Sequence, residues 1–388
     1  MKDPSFTIGI EEEYHLVDLA TRDLVPAPPE LMADCETELG DQVHPEFLRS
    51  QIEVGTRICR NFAEAAGELR RLRATVARLA AKYGLAPIAA GTHPFGRPTA
   101  IQPSDKERYQ SIARDLQLVV RRLATCGMHV HVGIEDDELR IDLMNQARYF
   151  LPHLLALSTS SPFWEGADSG LKCYRLAVYN ELPRTGLPGR FSGWQEYEQT
   201  IGVLVRSGVI EDPSKIWWDL RPSARFPTLE MRITDVCTRL DDAITIAALY
   251  VAIVRMLYRL RRSNQSWRTY PLLLLDENRW RAQRYGVSGT LFDFGRGELI
   301  AFAALLEELI ALVAEDAVAL ACVAEIDRAR AIAAGGTSAD RQIACFKEAS
   351  LGADTQSGLR SVVDWLVTET RAGPEPPAPG SGSLPNRD

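Results

Sequence analysis

The segment Phe6–Val17, FTIGIEEEYHLV, alternates apolar and polar residues and so reads as a β-strand. Successive strand side chains point to opposite faces. Ile8 and Ile10 therefore share one face, with Glu12 among them, while Glu11 and Glu13 share the other. Carboxylates two residues apart on one face lie about 7 Å from each other and repel unless a cation or hydrogen-bond donors sit between them. Alone, the segment would equally describe a solvated strand with two exposed glutamates, but three further segments repeat its form. Gln51-Ile52-Glu53-Val54 sets Gln51 and Glu53 against Ile52 and Val54. Met128-His129-Val130-His131-Val132 opposes two histidines to an apolar row, and Leu229-Glu230-Met231-Arg232-Ile233-Thr234 opposes Glu230, Arg232 and Thr234 to another. The polar rows hold Glu, His and Arg rather than the Ser, Thr and Lys of a simple wet face. Antiparallel sheets with one face on the core and one open alternate in this way. If the open rows converge, they form a carboxylate and imidazole cluster suited to Mg²⁺ or Mn²⁺.

The chain has 388 residues and a formal net charge of -8, which argues against nucleic-acid binding by bulk charge. Local arginines could still hold a phosphorylated small molecule. Lys2, Asp3 and Pro4 precede the first strand in place of an apolar leader. The most apolar run, Ala243–Val254, is bounded by Asp241, Asp242 and Arg255 and is too short to span a bilayer. The seven cysteines show no C-x-x-C spacing, so a reduced, cytoplasmic protein is expected.

Helices are predicted over 61–83, over 104–125 behind a Ser104/Glu107 capping box, and over 136–157, where His153 is given no role. Others are predicted from a Ser192/Gln195 cap to Arg206, over 241–262, and as a short helix around Glu277–Arg281 ending at Gly286. Residues 87–94 read as a short buried strand, and from Gly297 to Thr370 only helices are expected. No internal linker is evident, so residues 1–372 are expected to form one catalytic domain, and the Pro- and Gly-rich 373–388 a disordered tail. The pair Trp217 and Trp218 beside Arg221 and Arg225 is either a hydrophobic plug or an aromatic and guanidinium wall at a ligand. Phosphate-loop, dinucleotide-loop, zinc-protease and nucleophile-elbow motifs are absent.

The series GIEEEYHLVD, CGMHVHVG, YNELPRTGLP, WWDLRPSARFPTLEMRITD and ENRWRAQRYG resembles the YbdK-type carboxylate-amine ligases. These are the type 2 glutamate–cysteine ligase family, distantly similar to glutamine synthetase. The resemblance implies an α+β fold, a glutamine synthetase-like curved antiparallel sheet with helices packed on one face. It also implies ATP as cosubstrate, Mg²⁺ or Mn²⁺, an acyl-phosphate intermediate, small-molecule amino-acid and amine substrates, and a homodimer. By position, Glu11, Glu13, Glu53, His131 and Glu230 resemble metal-site residues, and His129 shares their face. Arg232 resembles a phosphate-contacting arginine, with Arg221, Arg225 and Arg184 as further candidates for phosphate or substrate carboxylate. Arg232 and Glu53 are the residues expected to act in catalysis. The alternatives are a guanidino-kinase-like phosphotransferase and a nucleotide- or metal-binding protein without turnover. The substrate pair is left open.

Overall fold

Strand β1 (Ile8–Asp18) is the centre of the fold in the computed structural model, which describes residues 3–104, 116–117, 119–120, 122–352 and 354–371. The main sheet runs β2 (Val43–Pro45), β3 (Gln51–Gly55), β1, β5 (Met128–Gly133), β9 (Thr228–Met231), β8 (Leu220–Pro222). A seventh strand, β4 (Leu85–Ile88), pairs with the far end of β1. Every pairing is antiparallel. The four segments with alternating faces are thus consecutive neighbours, β3–β1–β5–β9, and their open rows converge.

The apolar rows form the core. Ile8, Ile10, Met128, Val130, Val132, Leu229 and Met231 are buried and pack against the helices Phe62–Ala81 and Leu240–Arg262. The Leu240–Arg262 helix is apolar on nearly every side because it runs through the interior. By length and composition it is long enough to cross a membrane, contrary to the reading of a short run; 83% of its most apolar window is buried within the protein. Glu12 also lies on this core face, fully buried, where Arg73 of the Phe62–Ala81 helix meets both its oxygens at 2.8 and 2.6 Å.

The alternation in β1 stops after Tyr14. Leu16 packs on the Pro29–Leu39 and Phe62–Ala81 helices, whereas Val17, with Ala86 and Ile88 of β4, packs on the Thr355–Arg371 helix. Helices therefore cover one face of the site-bearing half of the sheet but both faces of its far end. That half stays open because Glu11, Glu13, Glu53, His129, His131 and Glu230 all point away from the core.

Some local expectations change. The 136–157 helix is broken by a 3-10 turn at Arg148–Phe150 into Asp137–Ala147 and Leu151–Ser158, with Pro152 in the first turn of the second. The Trp194–Arg206 helix is capped by Gly193 without a side-chain bond; Ser192 pairs with Glu196, not Gln195. The short helix is 14 residues long, Leu272–Tyr285, ending at Gly286. Beyond Gly297 the chain is not only helical, since β11 (Glu298–Ala301) closes a hairpin with β10 (Thr290–Asp293). A second hairpin, β6 (Phe163–Trp164) and β7 (Ala167–Asp168), lies in the stretch before Gly170. The Glu107 end of the expected capping box and the 373–388 tail lie outside the described residues.

Candidate active site

Strand register sets the site. Glu13 lies opposite Glu53, Glu11 opposite His129, His131 opposite Glu230, and Glu230 opposite Arg221. Directly opposed residues project on the same face, so residues from β3, β1, β5, β9 and β8 form one continuous wall. The wall lines a cavity of about 400 Å³. The segments 44–47 and 214–226, with Tyr179 and Leu182, border it elsewhere.

At the centre, His131 Nδ1 meets Thr228 Oγ1 at 2.9 Å. Its Nε2 is buried, has no hydrogen-bond partner among the described residues, and lies 3.5 Å from a Glu11 oxygen. A histidine whose Nδ1 is held by a neighbour, with Nε2 turned into a carboxylate cluster, has the arrangement of a metal ligand. Glu11, His131 and Glu230 each offer a ligand atom, and these atoms lie within 4.8 Å of one another. The residues fit a hard divalent cation. His129 is spent differently: Nδ1 meets Glu11 at 3.1 Å and Nε2 lies 3.8 Å from Glu13.

Both oxygens of the buried Glu230 are gripped by arginines. Arg221 reaches Oε2 through Nε at 2.9 Å and Oε1 through Nη2 at 3.1 Å, and Arg232 Nη1 meets Oε1 closely. A carboxylate has about four acceptor positions, so three donors leave room for one more contact.

The charges divide the wall in two. Burial works to raise the Glu11 carboxyl, but the imidazoles of His129 and His131 beside it hold it well below the usual carboxylate range. Glu230 behaves likewise: burial is outweighed by the Arg232 and Arg221 guanidiniums, which keep it ionised. Burial and the Arg232 charge push His129 down to about 4, whereas at His131 burial is outweighed by the Glu230 and Glu11 carboxylates together, which raise it. On the β3 side, burial and the Glu46 charge push Glu13 up to about 7. Glu53 is driven well above its ordinary value by burial, Glu46, Glu11 and Glu13. Crowded carboxylates of this kind need protons or cations.

The other candidates separate. Arg225 is exposed at the cavity rim and stacks over Phe226 at 5.9 Å. Arg184 does not line the cavity: it stacks behind Trp217 at 5.3 Å and donates to the Lys215 carbonyl at 3.0 Å. The tryptophan pair is split, Trp217 facing the cavity and Trp218 packing on Phe191. Asn278 is structural, exchanging two hydrogen bonds with the Phe292 backbone at 2.8 and 2.6 Å.

Sequence reasoning missed Thr228, Arg175 and Tyr179. Thr228 shared the strand parity of Glu230 and Arg232, which was a usable signal. Arg175 and Tyr179 sit on a short helix, Arg175–Tyr179, whose placement no spacing announces.

With the geometry in hand, comparison with known proteins gives a consistent result. The sequence pattern described as Glutamate-cysteine ligase family 2 matches residues 7–362. A Rhodospirillum rubrum protein, named provisionally as glutamate–cysteine ligase 2, is 58% identical over 388 residues, covering 98% of this chain and 100% of its own length. A Jannaschia protein of the same provisional name is 54% identical, covering 95% of this chain and 97% of its own. Among solved structures, the glutamate–cysteine ligase of Francisella tularensis in complex with AMP superposes with a TM-score of 0.68 at 11% identity, over 96% of this chain and 90% of that one. The bifunctional glutathione synthetase of Pasteurella multocida gives a TM-score of 0.68 at 15% identity, over 94% of this chain and 52% of that one. At such identities these two establish the shared fold, which is the α+β, glutamine synthetase-like arrangement expected from the sequence.

Proposed function

The chain belongs to the glutamate–cysteine ligase family 2, a family of carboxylate–amine ligases, and from that premise we propose that it forms an amide at the expense of ATP through an acyl phosphate. A carboxylate oxygen of the acid substrate attacks the γ-phosphorus, and the bond to ADP breaks. The amine nitrogen then attacks the acyl carbon, the amine loses a proton, and inorganic phosphate leaves.

The observation that carries this reading is the convergence of Glu11, His131 and Glu230 beside Arg221 and Arg232 on one cavity wall. A Mg²⁺ or Mn²⁺ ion held by Glu11, His131 and Glu230 would offset the charge of the triphosphate. Arg232 is fixed by Glu230 and by the Tyr179 hydroxyl at 3.5 Å. It is thus presented ready-oriented to phosphoryl oxygens, and orientation of this sort supplies much of the stabilisation in phosphoryl transfer. Glu53, in the carboxylate group with Glu13 and Glu46, belongs to the part of the wall that would favour a cationic group such as the incoming ammonium.

The test is a screen of amino acids against an amine panel with ATP and Mg²⁺ or Mn²⁺, reading phosphate release and product mass. Glutamate with cysteine is the first pair to try, because the relatives carry that name. Amide formation that depends on both partners is expected. ADP release without an amine, leaving a stable phosphorylated acid, would replace this reading by the phosphotransferase; no turnover across the panel would replace it by a binding protein.

A further inference from the structure

Arg175 is a cavity-lining arginine that no motif predicted. It is 2% exposed. Nη1 donates to the Ile233 carbonyl at 3.3 Å and Nη2 to the Arg232 carbonyl at 3.2 Å. The guanidinium lies over Gly127, where a Cβ would come within 2.3 Å of Nη2, and sits over the Tyr179 ring at 5.4 Å. Its other N–H groups make no hydrogen bond among the described residues.

The charge of Arg175 has no counterpart at contact distance. Among the described residues no carboxylate comes within 4.0 Å of it, although Glu13 and Asp235 are near enough to feel it. Most other arginines of the interior and the wall are matched: Arg73 by Glu12, Arg279 by Asp219, Arg140 by Asp137, Arg221 and Arg232 by Glu230; Arg148, which is held by carbonyls alone, does not line the cavity. Burying a guanidinium against carbonyls alone is costly, because the desolvation of a full charge is only partly returned by neutral acceptors. A cation kept in that state, with free donors and a wall position in a cavity, is arranged for an anion that arrives from outside.

We propose that Arg175 is an anion-binding residue of this site, receiving an oxyanion of the reactants: the carboxylate of the acid substrate or the phosphoryl oxygens of the nucleotide. The identity of the anion rests on the ligase reading; the existence of an anion seat at Arg175 does not. The planar fork suits either oxyanion. Gly127 is the permissive partner, since any side chain there would displace the guanidinium.

Calorimetric titration of the full chain in Mg²⁺ with L-glutamate, with inorganic phosphate and with ATP tests the assignment in wild type, Arg175→Met and Arg175→Lys. Arg175→Met should weaken at least one of these anions tenfold or more, while Mn²⁺ affinity stays within twofold. Arg175→Lys, which keeps the charge but not the fork, should restore part of the loss. A loss confined to L-glutamate assigns the seat to the substrate carboxylate; a loss shared by phosphate and ATP assigns it to the phosphoryl group. Gly127→Ala, which pushes the guanidinium aside without removing charge, should reproduce the loss and serves if Arg175→Met does not fold. Unchanged affinities in the variants, a lower thermal midpoint with unchanged affinities, or no anion binding by wild type would each overturn the proposal. Arg175-dependent anion binding in a chain that forms no amide would instead remove the ligase reading and leave the anion seat standing.

Discussion

Arg73→Met should be among the most damaging single changes in this protein, although Arg73 touches no part of the cavity. Its guanidinium makes four contacts. Two go to the fully buried Glu12, at 2.8 and 2.6 Å, and two to the carbonyls of Thr238 and Cys237, both at 2.7 Å. Methionine would fill much of the space but leave Glu12 with only the Tyr14 hydroxyl, at 2.5 Å, and strand two carbonyls. Charge-assisted hydrogen bonds are worth about 1.5–3 kcal/mol each, and removing one member of a buried ion pair costs about 3–5 kcal/mol. A loss of about 3–5 kcal/mol is therefore expected, against a total stability on the order of 5–15 kcal/mol. Urea unfolding followed by circular dichroism would register it as a lower midpoint at unchanged slope. Because most of the cost is an uncompensated carboxylate, Glu12→Met/Arg73→Met should be more stable than Arg73→Met alone. Mn²⁺ affinity should fall in the single variant as well, since Glu12 stands between Glu11 and Glu13 on the same strand. An Arg73→Met midpoint within about 1 kcal/mol of wild type, or a double variant no better than the single, would refute the reasoning.

Three further outcomes follow from the geometry. Thr228→Val removes the group that fixes His131 Nδ1 and should weaken Mn²⁺ binding about 10–100-fold with little change in fold, measured by titration. Glu11→Ala should abolish turnover and metal binding while the chain stays folded, whereas Glu230→Ala should also cost about 3–5 kcal/mol in urea unfolding, because it leaves Arg221 and Arg232 unpaired. Burial holds His153 down to about 4, so its contribution is fully present above the unfolded value near 6.5 and drains away as pH falls from about 6.5 to 4. The drop is on the order of 3 kcal/mol, and His153→Phe should flatten the stability–pH curve across that window.

The open face of the sheet was legible because strand periodicity is local: knowing that Glu11, Glu13, Glu53, His131 and Glu230 sat on polar rows required only a count by twos. Which rows were neighbours was not local, yet the shared chemistry of the rows anticipated it. Glu12 was placed on the core face by the same count, but its partner could not be found, since Arg73 reads as one more charge on an amphipathic helix. The Arg184 position shows the opposite limit. A loop with Arg and Gly looks like an anion binder, and only the stacking on Trp217 reveals that this guanidinium is used behind the wall. The β10–β11 hairpin was missed because Glu298–Ala301 is too short and too exposed to display alternation.

The two faces of β1 solve opposite problems with the same residue type. On the core side, Glu12 is tolerable because a fixed guanidinium and hydroxyl neutralise it permanently. On the cavity side, Glu13 and Glu53 are partly buried, yet among the described residues no fixed cation grips them as Arg73 grips Glu12, and their carboxyls ride upward in consequence. A strand carrying three consecutive glutamates is thus held in register by the middle one and left electrostatically unfinished by an outer one. The unfinished charge lies where cationic reactants would enter, and the arginine that lacks a carboxylate, Arg175, lies across Gly127 from it, with the Gly127 N–H donating to Glu13 at 2.7 Å. A site in which unmatched negative and unmatched positive groups share one small cavity is complementary to a pair of oppositely charged reactants brought together, which is what joining a carboxylate to an amine requires.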